Sequence, residues 1–348
     1  MSDKSYLGEC ETILNCEYIP WEDLAGKNIF ITGGTGLVGS ALIRVLLVAN
    51  AEKMLRMKIY ALVRNVEKAR AMFAENDALE FVVGDIVPLP EISVPIDYII
   101  HAASPTSSQF FVDHPVETIK TAVQGTINVL DMAKAKKVQS VVYLSSMEVY
   151  GECHTDDPLT EDLPSKMKSL NVRNCYPQAK LICENLCVSY AHEYSLGCKV
   201  VRLAQTFGPG TPMSDNRVFA QFAKAVINNT DIVLATAGET KRCYLYTLDS
   251  ATAILTVMLK GETGEAYNAA NPATYCSILE MAKLVADQVA GGSISVKINA
   301  AGNTTPGKYL PTHKWNLSAE KLMALGWQPT ADLEYMYQML IAYMRENR

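Results

Sequence analysis

The chain has 348 residues, 49% of them hydrophobic and 20% charged, with a formal net charge of −6. That is an ordinary globular balance in a chain long enough for a large domain and a smaller one. The acidic total argues against a nucleic-acid partner, which calls for a basic surface, but a local Arg and Lys cluster can still take an anionic ligand. No apolar run approaches the roughly 20 residues that span a bilayer. The opening MSDKSYLGECE lacks a basic start followed by an apolar core, so neither a membrane anchor nor a secretory signal is expected.

In chain order, residues 1–26 read as a polar N-terminal extension, with a short helix packed on the main body. Asn28–Thr32 (NIFIT) reads as a buried strand running into a glycine-rich turn and then an apolar helix to about Ala49. Lys58–Val63, Phe81–Val83 and Tyr98–His101 follow as strands. Val116–Lys134 reads as a long helix, Ser140–Leu144 as a strand, Cys175–Tyr194 as a helix and Lys199–Leu203 as a sixth strand. Strands alternating with helices predict an α/β fold, a Rossmann-type doubly wound parallel sheet over residues 27–207. From about Gly208 the pattern loosens into short pieces, Ile232–Leu234, Ala266–Asn268 and Ser295–Ile298, which read as a smaller C-terminal substrate-binding domain over 208–348. The nine cysteines, Cys10, Cys16, Cys153, Cys175, Cys183, Cys187, Cys198, Cys243 and Cys276, form no CxxC pair. Idle thiols in a reducing cytoplasm are therefore expected, rather than a disulfide framework.

The run Thr32–Gly39 places Gly33, Gly34, Gly36 and Gly39 between a strand and a helix. A tight turn at positive φ, a backbone close to a pyrophosphate and a helix N-terminus with free N–H groups together make a dinucleotide cradle. The second strand ends Val63-Arg64-Asn65 with no acid to meet a ribose 2′-hydroxyl. Arg64 suits a 2′-phosphate, which favours NADP(H) over NAD(H); the alternatives are a solvated residue or one stacked on adenine. Asp85, after the third strand, is placed to meet the adenine or to serve as a turn aspartate.

Tyr176 and Lys180 share a helix face four residues apart, with Pro177 suited to the first turn. An ammonium beside a phenol is expected to draw the tyrosine pKa towards neutrality. The tyrosine would then exchange a proton with a sugar hydroxyl or carbonyl while hydride moves to or from nicotinamide. Lys180 would also bind the nicotinamide ribose, and Ser146, at the end of the fifth strand, would add a second hydrogen bond to the same oxygen.

These features, TGGTGLVG, Gly84-Asp85, His101-Ala102-Ala103-Ser104, SSMEVYG, YPQAK, Arg202 to Gly210 and Leu325-Gly326-Trp327-Gln328-Pro329, resemble the extended short-chain dehydrogenase/reductase family of nucleotide-sugar epimerases, dehydratases, decarboxylases and reductases. The resemblance runs from Lys27 to about Ala342, and HAASPTSSQFFVDHPVETIKT is most similar to the UDP-glucuronate decarboxylase branch. It implies cofactor contacts by Gly33, Thr35, Gly36, Leu37, Val38, Gly39, Asp85, Ile86, Ala102, Ala103, Ser104, Leu144 and Leu203, besides Tyr176 and Lys180. It also implies a nucleotide-sugar substrate held by Ser104, Gln205, Thr206, Arg217 and Arg242, the arginines on its diphosphate. A homodimer through a four-helix interface of Val116–Lys134 and Cys175–Tyr194 is implied as well.

Departures from the family pattern bear on the reaction. Gln205 stands where Asn is usual, Ala122 where a helix Asn is usual, and Cys243 where Asp or Ser is usual. Met147, expected as a pocket wall, stands where dehydratases carry an acid and decarboxylases a small polar residue. Glu148 remains as an acid, a base or a structural carboxylate. His101 is expected to be structural, and the remaining histidines show no metal-ligand spacing. NADPH-driven reduction of a nucleotide-linked keto sugar or ketose to the alcohol is the leading reading. The alternatives are epimerisation or decarboxylation with tightly held NAD and no net redox, and a non-catalytic dinucleotide binder.

Overall fold

The computed structural model describes residues 3–105, 108–299 and 312–347. The elements in chain order are α1 (Asp3–Ile13), β1 (Asn28–Thr32), α2 (Leu37–Glu52), β2 (Lys58–Val63), α3 (Val66–Met72), β3 (Leu79–Val83), β4 (Tyr98–His101), α4 (Ser108–Asp113), α5 (Pro115–Lys136), β5 (Ser140–Ser146), α6 (Cys175–Tyr194), β6 (Cys198–Leu203), β7 (Gln205–Phe207), α7 (Val218–Asn228), β8 (Ile232–Leu234), β9 (Lys241–Tyr246), α8 (Thr247–Lys260), β10 (Ala266–Ala269), β11 (Asn271–Ser277), α9 (Ile278–Leu284), β12 (Val296–Ile298), β13 (Lys314–Trp315), α10 (Glu320–Met323) and α11 (Leu333–Glu346).

The main sheet has seven strands in the order β10-β6-β5-β4-β1-β2-β3. Every pairing in it is parallel. This is a Rossmann-type doubly wound sheet with one strand added beyond β6. Its central strands are apolar on both sides because helices cover both faces: all four residues of β4 are buried, as are four of the five in β1. On one face lies a core that includes Ile29, Ile31, Leu42, Leu46, Ile100 and Val142. On the other, Phe30, Leu62, Ile99, Val129, Val141 and Val200 pack together.

The chain returns to this sheet after the point where the sequence pattern loosens. Ala266–Ala269, expected in the substrate-binding part, is instead the seventh strand, paired along β6 from Ala266↔Val200 to Ala269↔Leu203. Helix α8 packs against α2 and β5. Four residues are too short for a sequence pattern to tell a sheet-edge strand from a strand of a small separate sheet. What stands beside the main sheet is a second sheet, β11-β9-β13 with β7 on β9, and the pair β12-β8.

The N-terminal extension does form a helix on the main body. Tyr6 and Cys10 of α1 are buried in the core. Glu9 accepts hydrogen bonds of 2.6 Å from the hydroxyls of both Tyr246 and Tyr335. Among the described residues, no helix is long and apolar enough to cross a membrane.

Candidate active site

The sheet changes direction between β1 and β4, since the chain goes from β1 outward to β3 and returns at β4 to go the other way. Ligands of such sheets bind beyond the carboxyl ends of the strands at this point. The glycine turn after β1 and Ala102–Ser104 after β4 emerge there. At the end of β1, Gly33 takes φ 73°, and a Cβ on it would lie 2.9 Å from the Ala102 carbonyl carbon. A Cβ on Gly39 would lie 2.3 Å from the Gly33 carbonyl oxygen. The turn is thus folded tightly against the first turn of α2, and only glycine fits at these two places. Gly36 is the N-cap of α2 and supplies no side-chain cap. The first N–H groups of the helix, from Leu37 and Val38 onward, are therefore left for an anion. This cradle fits the diphosphate of a dinucleotide.

The neighbouring strand ends are tied together. The Ala103 N–H donates to the Thr32 hydroxyl (3.0 Å), which lies 2.8 Å from His101 Nδ1. His101 Nε2 lies 3.2 Å from the Thr126 hydroxyl, which donates to the Ala122 carbonyl. The directions run one way only with a neutral imidazole protonated on Nε2: Thr32 donates to Nδ1 and Nε2–H donates to Thr126. Burial, with the Lys180 charge adding to it, pushes the His101 pKa down to about 3. His101 thus positions the β4 edge, in keeping with the structural role expected of it. Between pH 6.5 and 3 only the unfolded chain takes up this proton, so His101 contributes stability above pH 6.5 that is lost on acidification. We expect the acid limb of a pH–stability curve to be shallower in His101→Gln by up to one proton, about 1.4 kcal/mol per pH unit.

Ser104, Leu144 and Leu203 also lie at strand ends. The Ser104 hydroxyl donates to the Pro105 carbonyl, and Leu203 pairs across from Ser146. Asp85 is exposed, and its carboxylate accepts from the Ile86 N–H; Ile86 itself is buried beneath Gly125. Arg64 is exposed at the end of β2, with no ion-pair partner among the described residues.

Tyr176 and Lys180 lie one turn apart on α6, and both are buried. The Tyr176 ring stacks on Phe111 of α4, with centroids 4.4 Å apart and planes at 10°. The Lys180 ammonium donates to the Leu144 carbonyl (2.7 Å) and sits 4.7 Å from the Tyr143 ring centroid and 5.7 Å from that of Tyr176. This corrects one expectation. The Tyr176 pKa is raised, not lowered: burial acts first and the Glu148 charge second, against the Ser146 hydrogen bond and the Arg173 charge. Lys180 gives one of its three N–H donors to the Leu144 carbonyl, and burial brings its own pKa down to about 8.

Ser146 N-caps the 3-10 turn Met147–Tyr150, its hydroxyl accepting from the Glu148 N–H (3.2 Å). Glu148 is half-buried and pairs with Arg173 (3.6 Å). Met147 is 4% exposed and packs into the main core. The predicted phosphate ligands are in different states. Arg217 is forked onto Asp215, with Nε 3.0 Å from Oδ2. The buried Thr206 hydroxyl donates to the Ala204 carbonyl. Gln205 lies on β7 opposite Tyr244 of β9. Arg242 of β9 lies over the Trp315 ring (5.3 Å), and its buried Nε has no hydrogen-bond partner among the described residues. An unsatisfied guanidinium N–H is what an anionic ligand would complete.

Four groups escaped the sequence reasoning. Phe111 and Arg173 flank Tyr176 without any motif spacing to mark them. Behind the catalytic helix, Arg202 pairs with Glu184 and also donates to the Tyr150 hydroxyl and the Glu161 carbonyl. Glu184 also accepts from Ser145 on β5. Because Glu184 is buried and Arg202 is largely covered, Arg202→Met should cost about 3–5 kcal/mol by leaving the carboxylate alone, and the pair-removing Arg202→Met/Glu184→Met much less. Urea unfolding of the two variants checks this.

A model described as the NAD dependent epimerase/dehydratase family matches residues 29–270. The chain belongs to this family. It is 29% identical over 323 residues to UDP-glucuronic acid decarboxylase 1 of Xenopus tropicalis, covering 92% of this chain and 73% of the relative. It is 27% identical over 311 residues to UDP-glucuronic acid decarboxylase 6 of Arabidopsis thaliana, covering 89% and 86%. Among solved structures, UDP-glucuronic acid 4-epimerase from Bacillus cereus, in complex with UDP-glucuronic acid and NAD, superimposes with a TM-score of 0.76 at 19% identity, over 92% of this chain and 100% of that one. The dTDP-glucose 4,6-dehydratase of Bacillus anthracis, in complex with NAD, gives 0.74 at 20% identity, over 92% and 97%. At such identities the structural likeness speaks for the fold. With the family established, the chain is an NAD(P)-dependent enzyme of the extended short-chain dehydrogenase type.

Proposed function

We propose that this enzyme holds NAD tightly and works on one carbon of a nucleotide-linked sugar, oxidising and re-reducing it without net redox. Decarboxylation of a nucleotide-linked hexuronate is the favoured transformation and epimerisation the next. Net reduction by NADPH, the leading reading of the sequence, gives way. The family relatives over nine-tenths of the chain are named decarboxylases, and the structural neighbours quoted above carry NAD. Only the exposed Arg64 speaks for NADP.

The observation that carries the reading is the Tyr176 and Glu148 pairing at one strand end. One proton-transfer phenol stands beside one carboxylate, and the buried Met147 brings no second acid. That suits oxidation beside a carboxylate better than elimination of a hydroxyl. A ketone formed β to a carboxylate makes loss of carbon dioxide easy: the electron pair of the broken carbon–carbon bond moves into an enolate of the ketone, and the carbon left behind takes a proton from water. With its diphosphate in the glycine cradle, NAD would supply hydride acceptance and return. Tyr176 takes the proton of the sugar hydroxyl and later gives it back, Ser146 orients that oxygen, and Lys180 holds the nicotinamide ribose. Arg242 takes the nucleotide diphosphate. Arg217 can do so only by leaving Asp215, which makes it the weaker candidate.

The test is product analysis by NMR after incubation with UDP-glucuronate, other UDP- and dTDP-linked sugars and catalytic NAD. A pentose product from the uronate supports decarboxylation, and a C4 epimer supports the second transformation. Activity only with NADPH, lost in Arg64→Ala, would restore the reductive reading. We also propose a homodimer through α5 and α6, which pack on each other and leave Val116, Ile119 and Ile182 exposed. Sedimentation should then give twice the chain mass.

A further inference from the structure

Arg173 lies three residues before Tyr176, in the 3-10 turn Val172–Asn174 that leads into α6. The turn is pinned at both ends. The Asn171 side chain accepts from the Arg173 N–H (3.1 Å), and the Asn174 amide donates to the Lys168 carbonyl (2.9 Å). The guanidinium carbon stands 5.5 Å from the Phe111 ring centroid. Phe111 in turn lies flat on Tyr176, so Arg173, Phe111 and Tyr176 form a column. Cys175 fixes Phe111 from the other side by donating to its carbonyl (3.4 Å). The same guanidinium meets Glu148 at 3.6 Å, through a single nitrogen and oxygen.

This ion pair is a poor stability device. It is not bidentate, neither side chain is fully buried, and pairs of this kind contribute about 0–1 kcal/mol. Its placement has a consequence for chemistry, because the Glu148 charge disfavours the Tyr176 phenolate and the Arg173 charge opposes that effect. The other titratable groups around Tyr176 are Cys175 and Lys180 on its own helix, Tyr143 on β5, and His101 on β4, whose own pKa the Lys180 charge lowers; the Arg173 charge also bears on Cys175 and His313. Lys180 is turned to the Leu144 carbonyl, and His114 at the start of α5 stacks on Phe110.

We propose that Arg173 is a positioning residue for Tyr176. By clamping Glu148 and covering Phe111, it holds the ring stack and the neighbouring carboxylate in the arrangement in which the phenol can release and regain a proton. The inference rests on Tyr176 being the proton-transfer group, and it holds whichever nucleotide sugar is used.

The test follows Tyr176 ionisation in the NAD-loaded enzyme by 13Cζ-tyrosine NMR. The chain has 17 tyrosines, so the resonance is assigned by its absence in Tyr176→Phe. Arg173→Gln is expected to raise the Tyr176 midpoint by about one unit, and to lower kcat at neutral pH about tenfold with KM little changed. Arg173→Lys, which keeps the charge, should recover most of both. In Glu148→Gln/Arg173→Gln the midpoint should return to or below that of the wild type. If Arg173→Gln unfolds, the Lys variant and the double variant still decide the matter. An identical midpoint in wild type and Arg173→Gln, including the case in which neither ionises while the fold is intact, overturns the proposal. So does a double variant that stays at the Arg173→Gln value. The titration needs no sugar, so a shift seen with no sugar turned over would leave this inference standing and sink the proposed reaction instead.

Discussion

Tyr176→Phe is expected to lower turnover by about 10²- to 10⁴-fold, the share that a positioned proton-transfer group contributes, while the fold and NAD binding survive. The ring that stacks at 4.4 Å on Phe111 is retained, so no cavity opens in the pocket. What is lost is the hydroxyl, which lies near Ser146 and Glu148. A fall in kcat without a matching fall in melting temperature or NAD affinity distinguishes lost proton transfer from lost packing. Burial and Glu148 both oppose the phenolate, so an enzyme that depends on it must recover that free energy from Ser146, Arg173 and the loaded site.

The second large effect belongs to the glycine turn. In Gly39→Ala the new Cβ would stand 2.3 Å from the Gly33 carbonyl oxygen and 3.0 Å from its carbon. Both are backbone atoms, so either the turn or the start of α2 must move. Overpacking of this kind costs about 1–3 kcal/mol. The same displacement shifts the N–H groups that are to face the diphosphate, so NAD affinity should fall by about 10- to 100-fold or more, at 1.4 kcal/mol per tenfold. Calorimetric titration with NAD measures this. Gly8→Ala is the matched control. Its Cβ meets nothing within 4 Å, and it lies on α1, where alanine favours the helix, so NAD affinity should be unchanged.

The glycine turn and the Tyr176 and Lys180 helix were legible in the sequence because their chemistry is local. A turn that must approach a phosphate needs glycine at fixed offsets, and a pair four apart on a helix shares a face. The parallel, doubly wound character of the sheet was legible for a related reason, since most of its strands are followed by a helix that carries the chain back. Arg173 and Phe111 were not, because they reach Tyr176 from separate turns and no spacing relates them. The Arg202 and Glu184 pair links β6 to α6 in a register that only the folded sheet creates. The return of Ala266–Ala269 to the main sheet was hidden by its length. The expected effect of Lys180 on Tyr176 failed for a different reason. Sequence spacing shows that two groups are neighbours, but not how deeply the phenol is buried or that a carboxylate stands near it. Arg64 stands exposed where expected, yet an exposed arginine at a strand end is compatible with either dinucleotide, so its position alone did not select NADP.

The central claim, that this site cycles NAD without consuming it, is tested most directly by following absorbance at the reduced-nicotinamide band. The NAD-loaded enzyme turns over an excess of UDP-glucuronate while product is counted in parallel. The account predicts many products per bound cofactor, no net change in reduced nicotinamide at steady state, and loss of both product and any transient reduction in Tyr176→Phe. One mole of nicotinamide oxidised or reduced for each mole of product would contradict it.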